Sequence, residues 1–201
     1  MIEGFPRCAN SFAVRAFRFA NDPENSLKVA THIHSPAHIV LAIRWNIPTI
    51  VLIRHPDDAV LSKLAKSVEF EEEGLSSDKL TKADVEELVR YYTKRFVMFY
   101  DYLKPFAGKF VAADFYETTR DFSEILARVN ALYKTEFSLF DHTAENVKKI
   151  FDNSDGHLSP SSIREHCKKL FQDQYLSNDN DAYRTDAIRA YNEFRQLNSI
   201  D

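Results

Sequence analysis

The 201-residue sequence predicts an α/β fold, in which a parallel β-sheet is covered by helices on both faces. Short β-rich segments alternate with segments of helical spacing over the first two thirds of the chain, which is typical of parallel sheets. The clearest strand, residues 48–54, is uninterrupted from Thr49 to Ile53, as expected when both faces of a strand are buried. No linker or repeat divides the chain, so residues 1–201 are expected to form a single domain.

The first half of the chain predicts strands and helices in alternation. A short apolar segment predicts a strand at residues 2–5, and apolar side chains at helical spacing predict a helix at residues 11–20. Residues 27–31 are predicted to form a second strand. Pro36 is well placed to open the next helix, because proline fits the first helical turn. The clearest strand then follows, and residues 57–67 after it are predicted to be helical.

The second half of the chain is predicted to be mainly helical. Residues 69–79 are acidic and are expected to form a mobile loop. An apolar stripe at helical spacing predicts one long helix at residues 83–103. A further strand is predicted at residues 109–113. From Phe122 the pattern is helical to the C-terminus, with a break at residues 152–160.

Composition excludes several classes of protein. The formal charge of −4 and the isoelectric point near 6.0 argue against a general nucleic-acid-binding protein, which would carry a basic surplus. Two cysteines, Cys8 and Cys167, do not make a disulfide framework, so a reducing compartment is the simpler interpretation. The longest apolar run, residues 50–53, is too short for a signal peptide or a membrane span. We therefore expect a cytoplasmic protein with no membrane or nucleic-acid partner.

The loop after the first strand has the features of an anion site. Ligands of parallel sheets bind beyond the carboxyl ends of the strands. Residues 4–12 form a loop that enters a helix, where backbone N–H groups and the helix dipole favour phosphate. Arg7 adds a charge, and Asn10 and Ser11 add side-chain donors. The alternative is an ordinary strand–helix turn with Asn10 or Ser11 as its N-cap. The Walker spacing of glycines and lysine is absent.

The end of the clearest strand carries a second group of polar residues. Arg54 leaves the sheet at the edge where ligands bind, and Ser62 follows on the next predicted helix. Asp57 and Asp58 lie in the first turn of that helix, where the dipole favours carboxylates. We therefore interpret the two aspartates as structural, and Arg54 with Ser62 as candidate ligand-binding residues.

These two segments resemble motifs of the PAPS-dependent sulfotransferases. Gly-Phe-Pro-Arg-Cys-Ala-Asn-Ser-Phe at residues 4–12 resembles their 5′-phosphosulfate loop, and Ile-Arg-His-Pro-Asp-Asp-Ala-Val-Leu-Ser at residues 53–62 resembles their 3′-phosphate motif. Phe-Tyr-Glu at residues 115–117 and Ser-Pro-Ser-Ser-Ile-Arg at residues 159–164 are similar to two later segments. The resemblance spans roughly residues 2–170. It implies a three-layer, P-loop NTPase-like fold with a helical C-terminal part.

The resemblance also implies roles for individual residues. The 5′-phosphosulfate would be held by six consecutive residues, which are Arg7, Cys8, Ala9, Asn10, Ser11 and Phe12. The 3′-phosphate would be held by Arg54 and Ser62 with Arg164 as a second clamp, and Tyr116 would contact the nucleotide. His32 would be the general base, since a group of near-neutral pKa has to take the acceptor proton. Arg7 would stabilise the leaving phosphate oxygen. The implied reaction moves a sulfuryl group from PAPS to a hydroxyl or amine of a small-molecule or glycan-type acceptor, releases PAP and uses no metal.

Three departures from the family pattern leave alternatives open. Ala9 replaces a glycine, Arg7 replaces a lysine in many members, and Ala30 replaces a lysine. A catalytically degenerate relative that binds PAP as a binding module is therefore an alternative, and a small metabolite kinase is another. His34 is a second candidate for the base. His32, His34 and His38 have the spacing of a metal cluster, but no neighbouring carboxylate or thiolate completes it in the sequence.

Overall fold

A computed structural model describes residues 1–22, 24, 26–69, 80–152 and 162–200. Within these ranges the chain forms three β-strands, β1 (Ile2–Gly4), β2 (Ile50–Ile53) and β3 (Val111–Asp114), and nine α-helices. The helices are α1 (Asn10–Asn21), α2 (Pro36–Arg44), α3 (Pro56–Glu69), α4 (Lys82–Leu103), α5 (Phe115–Arg120), α6 (Phe122–Tyr133), α7 (Ala144–Asp152), α8 (Ser162–Tyr175) and α9 (Asp181–Leu197). The α/β class and the parallel sheet are confirmed. None of these helices is both long enough and apolar enough to cross a membrane.

The three strands form one parallel sheet in the order β1-β2-β3. Gly4 of β1 is in register with Leu52 of β2, and Leu52 is in register with Ala113 of β3. Every residue of β2 is buried. Because successive side chains of a strand point to opposite faces, both faces of this strand are covered, as its uninterrupted apolar sequence predicts.

The chain divides into two compact units, and the first contains the sheet. It comprises Met1–Arg54, Leu103–Ser159 and Arg195–Asp201. Helix α1 packs on β1, α5 packs on β2 and β3, and α6 packs on β3. The segment between α6 and α7 covers α1 with two aromatic side chains: the ring of Phe137 lies 5.1 Å from that of Phe17, and Phe140 lies 6.5 Å from Phe12.

The second unit is helical and comprises His55–Tyr102 and Pro160–Phe194. Helix α3 packs along α8, and both ends of α3 are tied to it. Asp57 in the first turn of α3 accepts a hydrogen bond of 2.8 Å from the hydroxyl of Tyr175, and Glu69 in the last turn pairs with Arg164. Burial and the adjacent Asp57 raise the pKa of Tyr175, so its hydroxyl stays protonated and remains a donor.

Several predicted elements are confirmed, and one is wrong. The helix opened by Pro36, the helix at 57–67 and the long helix at 83–103 are all present with small changes at their ends. Residues 27–31 do not form a strand. One backbone hydrogen bond, from Ile2 N–H to the Ala30 carbonyl, joins this segment to β1, so no ladder develops. The composition of residues 27–31 predicts a strand, but a strand forms only where a neighbouring strand is available for pairing along its length.

The helical remainder of the chain is interrupted at a place that its pattern does not predict. Residues 134–143, between α6 and α7, contain no helix and are held by side chains. The amide of Asn130 bonds the backbone of Phe137 in both directions, at 2.8 and 2.9 Å. The predicted break at 152–160 and the predicted loop at 69–79 lie largely outside the described residues, although Glu69 itself is the last residue of α3.

Gly4 is required by the close approach of β1 to β2. A methyl group on Gly4 would lie 2.3 Å from the carbonyl oxygen of Leu52, which belongs to the backbone of the neighbouring strand. We expect Gly4→Ala to lower the free energy of unfolding by roughly 3 kcal/mol, because the paired strand has to move. Gly108→Ala is the matched control. Its φ is +76° but nothing lies within 4 Å, so its cost should be about 1 kcal/mol. Urea denaturation of both variants measures the difference, and equal losses would contradict the steric argument.

Candidate functional site

The loop between β1 and α1 enters its helix through left-handed backbone. Arg7 and Ala9 both have a φ of 71°. Ala9 is the N-cap of α1, and its carbonyl accepts the N–H of Ala13 at 3.0 Å. The alternative in which Asn10 or Ser11 caps the helix is therefore wrong. No side chain at the N-cap accepts the first N–H groups of α1, which leaves the positive end of the helix suited to an anion.

Three of the six predicted loop residues are turned into the protein. Cys8 is fully buried, and Phe12 packs in the core against Phe140 and Phe151. Asn10 is 4% exposed, and its amide donates to the Phe5 carbonyl at 3.1 Å. This side chain therefore joins the two ends of the loop on its buried side. Arg7, Ala9 and Ser11 are more exposed and are the loop residues that present a surface.

His32 lies beside the start of α1. Its Nε2 atom is 2.9 Å from the hydroxyl oxygen of Ser11, and its Nδ1 atom is 3.1 Å from the hydroxyl oxygen of Thr31. The imidazole is exposed, and Ser11 is partly buried. The structure thus brings the candidate base to the candidate phosphosulfate loop, across 21 residues of sequence.

Arg54 lies at the same edge of the sheet. It directly follows β2, and its Nη1 atom donates to the Arg7 carbonyl oxygen at 3.4 Å. Its guanidinium carbon is 4.0 Å from the centre of the Phe115 ring, which directly follows β3. Because all three strands are parallel, the segments after them meet at one edge, and the Phe115 face holds the guanidinium by a cation–π contact.

Phe115 is a residue of the candidate site that no sequence motif singles out. The family resemblance implies that the neighbouring Tyr116 contacts the nucleotide, but Tyr116 is 66% exposed and packs edge-on to the Phe115 ring at 5.8 Å. Glu117 completes the capping box of α5 with Asp114 and pairs with Arg128. The Phe-Tyr-Glu segment therefore supplies one aromatic surface to Arg54 and one carboxylate to the helix.

Glu3 is a second residue near the candidate site that no sequence motif singles out. It lies within β1 and is fully buried. Its Oε2 atom accepts the backbone N–H of His34, and the backbone of His32 and Ile33 also favours the charged form of this carboxyl. Burial raises the pKa of Glu3 to about 7, although these backbone groups partly oppose the shift. The sequence signal was available: a carboxylate stands between Ile2 and Gly4 in a strand that is otherwise apolar.

The histidine segment, residues 32–34, is held in an uncommon conformation. His32 and His34 have φ values of 58° and 53°. This left-handed conformation costs about 1 kcal/mol or more for a residue with a side chain, so contacts have to maintain it. Nδ1 of His34 lies 2.8 Å from the Gly4 carbonyl oxygen. Since a carbonyl only accepts, Nδ1 carries the hydrogen, and Nε2 is the basic nitrogen of neutral His34.

No metal-binding group of three ligands occurs among the described residues.

The remaining two candidates lie in the second unit. Ser62 is buried on α3. Arg164 is buried on α8, with its Nε and Nη2 atoms both 2.7 Å from Oε2 of Glu69. Glu69 thus neutralises much of the charge of Arg164 within this unit. The assignment of Ser62 and Arg164 to the 3′-phosphate stays a prediction.

The first unit therefore gathers complementary groups at one sheet edge. Arg7 and Arg54 supply positive charge, the N-terminus of α1 supplies backbone donors, and Ser11 with His32 supplies a hydroxyl and an imidazole. Such a set suits an anion such as phosphate or sulfate together with a proton transfer.

Comparisons of this chain with protein-family models, with curated proteins and with solved structures found no match.

The buried Glu3 predicts a pH-dependent stability. Its folded-state pKa of about 7 exceeds the ordinary value of 4.5, so the folded chain binds the proton more tightly than the unfolded chain. The stabilising contribution is complete below pH 4.5 and is lost as the pH rises through 7, by up to about 3 kcal/mol. We expect Glu3→Gln to remove this part of the pH dependence. Urea denaturation between pH 4.5 and 8 measures it. Parallel pH profiles for the variant and the unmodified chain would contradict the assignment.

Proposed function

We propose that this protein transfers a sulfuryl group from PAPS to an acceptor hydroxyl or amine and releases PAP. The observation that carries the proposal is the 2.9 Å contact between His32 Nε2 and Ser11 Oγ. It joins a candidate general base to a strand–loop–helix turn whose sequence resembles a phosphosulfate loop. Neither feature alone would favour sulfuryl transfer over simple anion binding.

The geometry supports a division of roles within the first unit. The phosphosulfate would bind at the N-terminus of α1, against its backbone N–H groups, Arg7 and the Ser11 hydroxyl. Arg54, held against Phe115 and the Arg7 carbonyl, would bind the 3′-phosphate. The conformation of the loop would be maintained by three buried residues, Cys8, Asn10 and Phe12, which do not contact the ligand.

The proposed reaction is a single displacement at sulfur. The acceptor oxygen or nitrogen forms the new bond to sulfur, and the bond from sulfur to the bridging phosphate oxygen breaks. The electron pair of that bond stays on the oxygen of PAP, where Arg7 stabilises the charge. His32 takes the acceptor proton. Arginine is a permanent cation, so the leaving oxygen is stabilised by charge and not by a proton from Arg7.

A PAP-binding module without catalysis is the second candidate. The observation in its favour is Ala9, whose φ of 71° suits glycine, the residue that the resembled loop carries at this position. A loop that bears this strain could bind the nucleotide without aligning its sulfur for attack. Binding and transfer therefore need separate measurements.

Nucleotide binding tests the shared part of both candidates. By calorimetry we expect PAP to bind more tightly than AMP or ATP with Mg²⁺. Arg54→Ala should weaken PAP binding by about 30-fold or more, because a charge-assisted phosphate contact is lost. Arg44→Ala is the matched control, since Arg44 is an exposed arginine of the same unit at the end of α2. A folded protein that does not bind PAP would overturn the proposal.

His32→Asn separates the enzyme from the binding module. Sulfuryl transfer to a panel of acceptors should fall by about 10²-fold or more, since a general base contributes that range, while PAP affinity changes little. His38→Asn serves as the control, because His38 is an exposed histidine of α2. PAP binding without transfer or PAPS hydrolysis in the unmodified protein would favour the binding module. Full activity in His32→Asn would remove His32 from the mechanism.

A further inference from the structure

The histidine segment is attached to β1 through one side chain. The carboxyl of Glu3 accepts the backbone N–H of His34, and the backbone of His32 and Ile33 also favours its charged form. The left-handed φ values of His32 and His34 suit a small anion-binding nest of backbone N–H groups, which here faces a carboxylate of the protein itself. The contact of His34 Nδ1 with the Gly4 carbonyl also attaches the segment to β1, and just before the segment the Ala30 carbonyl accepts the N–H of Ile2.

A purely structural explanation for Glu3 is unsatisfactory. A buried ionisable group costs stability unless it is fully compensated, and Oε1 of Glu3 has no hydrogen-bond partner among the described residues. An apolar side chain would suit a fully buried strand position beside the apolar β2 better. The carboxyl does, however, stabilise the conformation of residues 32–34, in which two histidines have left-handed backbone.

We propose that Glu3 is a positioning residue, whose carboxylate holds the histidine segment so that His32 reaches Ser11. The inference rests on the proposed function only for the role of His32, since the placement of the segment is a matter of geometry. His32 lies two residues before His34, whose N–H Glu3 binds, so a shift of this backbone moves the His32 imidazole directly. A displacement of about 1 Å is enough to cost a reaction up to about 10²-fold.

Ionisation of Glu3 then controls the strength of this attachment. A charged carboxylate accepts stronger hydrogen bonds than a neutral carboxyl group, so the nest is tightest above the pKa of about 7. Oε1, the oxygen without a partner, can take the proton while Oε2 keeps its N–H. The charged group that acts on the carboxyl is the amino group of Met1, which favours the charged form of Glu3, whereas residues 32–34 act through their backbone. Strand β2 is apolar, and α1 contributes the neutral Asn10 near Gly4.

Nuclear magnetic resonance tests the inference without relying on activity. In the unmodified protein we expect the backbone amide protons of residues 32–34 to move together with pH, with one midpoint near 7. In Glu3→Gln this common titration should disappear. The signals of the His32 ring should also shift, because its contact with Ser11 is no longer maintained. Absence of the common titration in the unmodified protein would overturn the inference even if the variant failed to fold.

Asp22→Asn is the matched control. Asp22 is also buried, and it also holds a loop by accepting backbone N–H groups, those of Ser26 and Leu27. Its loss should lower stability but leave the His32 ring signals and the amides of residues 32–34 as they are. If both variants disturb His32 equally, Glu3 has no special positioning role and the inference is overturned.

Activity then separates this inference from the proposed function. We expect Glu3→Gln to lower kcat by about 10-fold or more with little change in the KM for PAPS, and Glu3→Asp to restore part of the loss. An unmodified protein without sulfuryl transfer defeats the proposed function and leaves the resonance test intact. An active Glu3→Gln with an unchanged pH profile and unchanged His32 signals defeats the positioning role and leaves the proposed function intact.

Discussion

The parallel pairing of β1 with β2 is the constraint on which the candidate site depends. Gly4 and Leu52 approach so closely that no side chain fits between them, and this contact lies at the carboxyl end of both strands. The loop after β1 and Arg54 after β2 therefore leave the sheet side by side. The Arg7 carbonyl and the Arg54 guanidinium can meet because the strand ends are in register. The same pairing between β2 and β3 places Phe115 beneath that guanidinium.

Strand β1 also organises the segment that carries the histidines. Two of its residues, Glu3 and Gly4, act on residues 32–34 through the carboxyl and the backbone carbonyl respectively. One short strand thus leads into the candidate anion loop and also contacts the histidine segment. The positioning role that we propose for Glu3 would account for a carboxyl group at a buried position, where its ionisation is costly.

Local strain is concentrated around the same edge of the sheet. Of the non-glycine residues with positive φ, Arg7, Ala9, His32 and His34 all lie in the loop or the histidine segment. Each holds a conformation that an isolated chain would avoid, so the surrounding contacts have to maintain it. The buried side of the loop supplies such contacts through Asn10, whose amide binds the Phe5 carbonyl. A pre-formed anion site needs this kind of rigidity, because ordering the loop on binding would cost affinity.

The sequence by itself determined the elements whose signal is local. Periodicity was sufficient for α4, an apolar run for β2, and a proline for the start of α2, because each pattern repeats within a few residues. The two motifs nominate Arg7, Ser11 and Arg54, and the family resemblance adds His32; the structure places all four at one edge of the sheet. The direction in which each loop side chain points cannot be predicted from the neighbouring residues. Asn10 and Phe12, which the motif assigns to the ligand, are buried in the protein.

Other features depend on the tertiary structure, because they require a contact partner that is distant in the sequence. Residues 27–31 have a strand-like composition but pair with β1 through one bond, so no ladder forms. Glu3 is an ordinary carboxylate in the sequence. It becomes a buried group with a raised pKa of about 7 and a backbone donor, the His34 N–H, only when residues 32–34 fold over it. Phe115 likewise gains its role from a guanidinium 61 residues away. Contacts at such separations depend on the packed chain, and no pattern within a short window encodes them.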